Sequence, residues 1–415
     1  MEFVTGLKCV FCQSVYPARK QFTCPRCGIH GILDVQYDYR TLGRKLTRRS
    51  LAAREELSQW RYRELLPVRA TSAVPDLCVG WTPLTCAPAL ARHVGVRQLF
   101  VKDDGRNATG SMKDRASAVG VVKAREARRK IIACASTGNA ASSCAGMAAS
   151  MGLRSVIFVP QRAPEAKVTQ LLIFGATVLR VRGSYEQAFQ LCQESCGKWG
   201  WYNRNSGINP YLVEGKKTVG LEIAEQLAWS PTDWVAVSVG DGCTIAGVWK
   251  AFHELKTLGL IGRTPRILGV QAEGAAPVTA CFRSGQPLQP IEPKTIADSI
   301  AVGVPRNWKK AVLAVDESGG TMINVSDEEI LDAMRYTGRL AGVFAEPAAA
   351  TAVAGLRRAV SDGMISRRAS ATVIITGNGL KDIQSAKCAV GEPFEISPDG
   401  DGLDDIIRAQ ELHVC

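Results

Sequence analysis

Asn107-Ala108-Thr109-Gly110-Ser111-Met112-Lys113-Asp114-Arg115 is the stretch whose reading decides the fold. The apolar run before it, Leu99-Phe100-Val101, reads as a strand. A strand, a Thr-Gly-Ser turn and then a helix set Lys113 at the rim of a sheet, close to a helix N-terminus. Ser111 reads as the N-cap of that helix. Positive charge is disfavoured at a helix start, so a lysine there is an unusual structural choice. An amine whose ammonium form is destabilised loses its proton readily, and a neutral amine condenses with carbonyls. The local pattern is equally that of a solvated surface lysine.

Strands and helices alternate outward from this point. Residues 131–135, 155–160 and 178–181 read as strands, with helices to 151, from Pro164 and over 185–199. Further strands fall at 235–239, 267–271 and 372–375, and a helix at 245–258. Ser326 and Glu329 form a capping box for another helix. This order predicts an α/β protein of two lobes, with open, mainly parallel sheets covered by helices. Ligands of such sheets sit beyond the carboxyl ends of the strands.

Two further turns lie at strand ends. Ser136-Thr137-Gly138-Asn139 is small and polar, and its backbone N–H groups suit a carboxylate. By itself it is also an ordinary capped turn. Gly240-Asp241-Gly242-Cys243-Thr244 opens a helix, where converging N–H groups and the helix dipole cradle a phosphate. Tight strand-to-helix turns are commonly glycine-rich, so this motif alone is not specific. Asp241 is expected to offer only its backbone, because its carboxylate would repel an anion.

The N-terminus holds Cys9-Val10-Phe11-Cys12 and Cys24-Pro25-Arg26-Cys27. Two CxxC knuckles match a zinc ribbon, and four thiolates leave no open position, so the metal would be structural. The alternative is four reduced thiols. The expected organisation is a ribbon at 1–38 and a helical arm at 39–80, with Leu51, Leu57, Trp60, Leu65 and Leu66 on one face. A catalytic region follows at 81–390, its smaller lobe inserted at about 115–210. An acidic tail at 391–415 carries a short helix at 404–412.

Composition narrows the function. The chain has 415 residues, 46% of them hydrophobic, enough for more than one core. No apolar run is long enough to span a bilayer. Met1-Glu2-Phe3-Val4-Thr5 lacks a signal layout, which points to the cytoplasm and away from a disulfide framework for the fourteen cysteines. The net charge of +12 favours anionic ligands. The basic run at 125–130 lies in a helical pattern, as a solvated face does, and no basic patch is interleaved with aromatics. Neither a nucleic acid nor a membrane is expected as a partner.

The stretch at 107–115 resembles the lysine motif of the second fold type of pyridoxal-phosphate enzymes, which includes threonine synthase, serine and threonine dehydratases and cysteine synthase. Four more blocks resemble threonine synthase: Gly80-Trp81-Thr82-Pro83-Leu84, residues 205–218, Glu346-Pro347-Ala348-Ala349-Ala350, and Thr376-Gly377-Asn378-Gly379-Leu380-Lys381-Asp382. The resemblance covers about 71–382, and some members carry an N-terminal zinc ribbon. It implies a tryptophan synthase β-like fold, an amino-acid substrate and a homodimer. It implies pyridoxal 5'-phosphate joined to Lys113, with Asn139 at the ring hydroxyl, Gly240, Asp241, Gly242, Cys243 and Thr244 at the phosphate, and Thr376 at the ring nitrogen. The substrate carboxylate would fall to Ser136, Thr137, Gly138 and Asn139, and zinc to Cys9, Cys12, Cys24 and Cys27. A hydroxyl at the ring nitrogen leaves it unprotonated, which favours elimination and replacement over transamination.

One block departs from the pattern. The resemblance implies four grips on a substrate phosphate, a Thr, a Ser, an Arg and an Asn. Their places hold Ala140, Gly207, Leu212 and Thr244. Lys216, Lys217 and Arg204 are the cations left nearby in sequence. Three readings stay open. The first is elimination or replacement as in threonine synthase. The second is a changed substrate, giving a specialised amino acid or a dehydratase-type lyase. The third is a non-catalytic binding protein, against which an intact Lys113 argues.

Overall fold

The computed structural model describes residues 1–18, 21–161, 163 and 165–410. Three strands open the chain, β1 (Val4–Cys9), β2 (Val15–Tyr16) and β3 (Leu33–Tyr37), antiparallel in the order β2-β1-β3. A larger sheet begins with β4 (Leu84–Cys86) and β5 (Gln98–Asp103). The chain leaves it for a parallel sheet of β6 (Ile131–Ala135), β7 (Arg154–Pro160), β8 (Thr177–Val181) and β9 (Tyr202–Asn203), ordered β8-β7-β6-β9. It returns through β10 (Trp234–Ser238), β11 (Arg266–Ala272), β12 (Thr321–Val325) and β13 (Ser370–Ile375). The large sheet runs β12-β11-β10-β13-β5-β4, parallel except between β4 and β5.

The expected α/β class with mainly parallel sheets is therefore what the chain adopts. β10 and β13 are buried along their whole length, as parallel strands covered on both faces are. Two expected helix limits, the start at Pro164 and the end at Leu412, lie outside the described residues. The helices there are described as Glu165–Ile173 and Leu403–Ala409. No helix among the described residues is long and apolar enough to cross a membrane.

Two local expectations are corrected. Residues 39–80 do not form a helix face. They break into the helices Tyr39–Lys45 and Arg48–Ala52 and a 3-10 stretch at Gln59–Leu65, with Leu57 exposed. Arg61 explains the break. It donates to the carbonyls of Leu51, Arg54 and Glu56, folding the segment back on itself, and pairs with Glu225 at 2.7 Å. Ser111 is not a helix cap. It bridges to Gly377 in extended form, and its buried hydroxyl has no partner. Asp114 instead ties the turn to the helix by accepting from the Thr109 N–H at 2.6 Å.

The helix Tyr211–Gln226, read in sequence only as a motif block, is central. Its first 14 residues are all buried. At Gly215 a Cβ would stand 2.1 Å from the Arg115 carbonyl oxygen, so this helix touches the helix Lys113–Glu126 backbone to backbone. On another side it packs against Gly247 of the helix Cys243–Thr257. Its side chains join a fully buried ionic network. Glu222 pairs with Arg115 and with Lys102, and Arg115 also pairs with Asp104. Two cations meet two acids, so the charge closes. Loss of one member would leave a bare buried charge, costing about 3–5 kcal/mol.

Helix propensity alone would favour Gly215→Ala by about 1 kcal/mol. The close approach reverses the sign, because backbone cannot yield as a side chain can. Gly215→Ala should destabilise the protein by about 1–3 kcal/mol in denaturant unfolding.

Candidate active site

Three segments distant in sequence lace together at the strand ends. The Thr376 carbonyl, just past β13, accepts from the Met112 N–H at 2.9 Å, and the Asn378 N–H donates to the Gly110 carbonyl at 3.0 Å. On the other side, the Glu346 N–H donates to the Gly377 carbonyl at 3.1 Å. Lys113, Thr376 and Glu346 are thereby held around one point.

Lys113 is the first residue of its helix, as the sequence predicts. With Thr376 it lines a cavity of about 80 Å³ that Gly240, Asp241, Gly242, Cys243 and Thr244 also line. Gly242 caps the helix Cys243–Thr257 at φ +93°, where a Cβ would fall 2.6 Å from the Asn307 carbonyl oxygen. Only glycine suits both the angle and the space. The Asp241 carboxylate is drawn off to accept from the Arg306 N–H at 2.7 Å and the Asn307 amide at 3.2 Å.

A larger pocket of about 480 Å³ adjoins this cavity, sharing Ser299 and Ala348 with it. Thr137, Gly138 and Asn139 line it. Ser136 does not, and its hydroxyl accepts from the Gly138 N–H at 3.3 Å. The Asn139 amide donates to both Glu346 oxygens at 2.8 and 2.9 Å. The Glu346 side chain, at the start of the helix Pro347–Ser361, faces the pocket and makes no cap.

The electrostatics suit a reactive amine. Burial, and then the neighbouring Lys216, bring the half-buried Lys113 ammonium down to about 8, while Glu346 pulls the other way. Burial pushes the Glu346 carboxyl up. The folded Lys113 loses its proton more easily than the unfolded one. Its charge therefore costs stability below pH 8, and that cost fades as pH rises towards the ordinary lysine value.

Several lining residues escaped sequence reasoning. Ser238 ends β10 directly before the glycine turn, and its buried hydroxyl has no partner. Its place at a strand end was the available signal. Asp298 and Ser299 come from a stretch with no clear pattern, and Asp298 pairs with Lys167 across the pocket. Lys381 donates to the Thr109 carbonyl and Ser142 hydroxyl at 2.9 and 3.1 Å. Away from this site, the thiols of Cys9, Cys12, Cys24 and Cys27 converge, their sulfurs all within 4.8 Å of one another.

The fold and this cleft define an α/β enzyme built around a strand-end lysine, and comparisons with known proteins give its family. Residues 76–377 match the family model described as pyridoxal-phosphate dependent enzyme, and the chain belongs to that family. It is 37% identical to threonine synthase of Methanocaldococcus jannaschii, over 97% of this chain and 99% of that one. It is 40% identical to threonine synthase of Methanosarcina acetivorans, over 97% and 98%. Among solved structures, the processed form of threonine deaminase isoform 2 from Solanum lycopersicum matches with a TM-score of 0.64 and 23% identity, over 75% of this chain and 88% of that one. Maize serine racemase matches with 0.62 and 22%, over 80% and 94%. These likenesses carry the fold alone. The cavity fits the family's cofactor: a glycine turn a Cβ would fill, an orphaned Ser238 hydroxyl and a lysine of lowered basicity meet there.

An amine-acylating reagent applied to ligand-free protein should modify Lys113 with a pH midpoint near 8. In Lys216→Met the midpoint should rise, since the strongest like-charge neighbour is gone. Peptide mass spectrometry across a pH series reads both.

Proposed function

We infer that this protein eliminates or replaces a β- or γ-substituent of an amino acid, as threonine synthases do. The observation that carries the reading is the single cavity lined by Lys113, the 240–244 turn and Thr376, opening towards Thr137 and Asn139. When bound, pyridoxal phosphate supplies an aldehyde that joins amines and a ring that accepts electrons from the substrate α-carbon.

The chain's own groups do the rest. Thr137 and Gly138, at the start of the helix Asn139–Ser150, bind the substrate carboxylate through backbone N–H groups. Asn139, held by Glu346, would hold the ring hydroxyl of the cofactor. The 240–244 turn and Ser238 take the phosphate. Thr376 lines the same cavity and would hold the ring nitrogen, to which its hydroxyl can donate. Lys113 would hold the cofactor aldehyde, and its neutral amine is the group placed to move a proton at the substrate α-carbon. The helix Tyr211–Gln226 packs directly against the start of the Lys113 helix and covers it on that side.

A second reading concerns the substrate. Leu212 is fully buried and apolar at the place where the resemblance to threonine synthase implies a phosphate-gripping arginine. This favours a relative with a changed leaving group or nucleophile. The four convergent thiols, a soft donor set, suit a structural zinc ion, and we extend the proposal to that metal. A cytoplasmic location and a homodimer complete the reading.

Reconstituted protein should show a visible absorbance band that Lys113→Ala abolishes. O-phospho, O-acetyl and free hydroxy amino acids should be screened for a change in that band. Threonine formed from O-phosphohomoserine supports the threonine reaction. A band change without threonine supports the changed-substrate reading, and no change with any of them sinks both. Purified protein should carry about one zinc per chain by elemental analysis, and Cys24→Ser should lower that content and the melting temperature together.

A further inference from the structure

Beside the glycine turn the packing leaves two buried cations without acids. Lys216 is 3% exposed and lines the 80 Å³ cavity together with Ser238, Gly240, Gly242 and Thr244. It makes no hydrogen bond or ion pair among the described residues. Arg204 is 2% exposed and donates to the Ser117 hydroxyl at 2.9 Å, the Ser206 hydroxyl at 3.0 Å and the Lys113 carbonyl at 3.4 Å. All three acceptors are neutral. The next residue in sequence, Lys217, is the contrast: it pairs with Glu214 at 2.6 Å and Glu254 at 2.8 Å.

The acid within the turn does not balance these charges. Asp241 is engaged by the Arg306 N–H, the Asn307 amide and the Cys243 thiol. An unneutralised buried cation is heavily penalised. Three kinds of donor thus face one small cavity without acceptors: an ammonium, the orphaned Ser238 hydroxyl, and the N–H groups that open the 15-residue helix Cys243–Thr257. Together they suit a compact dianion.

We propose that Lys216, backed by Arg204, is the cationic wall of a phosphate site whose other wall is the 240–244 turn and Ser238. The inference rests on the reading that this turn faces the cofactor phosphate. The same chemistry is offered by a phosphorylated amino-acid substrate, and the two sources separate by experiment. Lys216 is a binding residue here, with no part in proton transfer.

The test uses the full chain stripped of cofactor, as wild type, Lys216→Met and Lys216→Arg. Melting temperature is read with and without inorganic phosphate. Dissociation constants are read by tryptophan fluorescence for pyridoxal phosphate and for pyridoxal, which lacks the phosphate. Lys216→Met should melt higher than wild type when ligand-free, because an unpaired buried charge is gone, and should lose stabilisation by phosphate. Its affinity for pyridoxal phosphate should fall at least about tenfold, with that for pyridoxal changing less than about twofold. Lys216→Arg should retain most of the binding. If pyridoxal phosphate binding is unchanged but the cofactor-loaded variant loses its preference for O-phosphohomoserine over homoserine, the phosphate is the substrate's and the site stands. Equal loss for pyridoxal and pyridoxal phosphate, or no loss with any phosphorylated ligand, overturns the proposal. Should Lys216→Met not fold, Lys216→Gln takes the same comparison. A wild type without the visible band but still stabilised by phosphate would sink the catalytic reading and leave this site intact.

Discussion

The backbone contact between Gly215 and Arg115 is the constraint on which the rest of the structure depends. It lets the helix Tyr211–Gln226 lie directly under the helix that starts with Lys113. The same helix meets Gly247 on its other side, which belongs to the helix opened by the glycine turn. One buried element thus sets the distance between the amine and the phosphate cradle. A side chain at either glycine would prise these helices apart, and protein interiors have no slack to absorb it.

That helix also sorts the charges. On one face, Glu222 closes a neutral network with Arg115, Lys102 and Asp104. On another, Glu214 and Lys217 meet Lys250 and Glu254, and Lys250 reaches Asp34 on β3. The N-terminal sheet is clamped there, and the Tyr37 hydroxyl donates to Glu214 at 2.8 Å. The third face presents Lys216 to the cavity without an ion pair. Paired networks hold the scaffold, and the imbalance of charge is kept for the site. Burial and that imbalance together make Lys113 a weaker base than an ordinary lysine.

Much of this was legible in the residues. The strand–turn–helix order around Lys113 is in the sequence because apolar runs and glycine turns are local signals. The capping box of Ser326 and Glu329 appeared as read, with both hydrogen bonds formed. What misled was likewise local. Ser111 has the chemistry of a cap, but pairing with Gly377 uses it as a strand residue. The arm at 39–80 has helical spacing, but Arg61 takes its backbone carbonyls.

By itself the sequence determined the class of fold, the lysine at a strand end and the turns that surround it, because each is written in neighbouring residues. Only the tertiary structure decided which charges are spent and which are free. Lys216 and Lys217 are adjacent and chemically identical in the chain. A helix turns about 100° per residue, so one meets Glu214 and Glu254 while the other faces the cavity beside the glycine turn. Glu214 stands three residues before Lys217 on the same helix, but Glu254, which completes the pair, arrives from another helix, and only packing turns Lys216 towards the glycine turn.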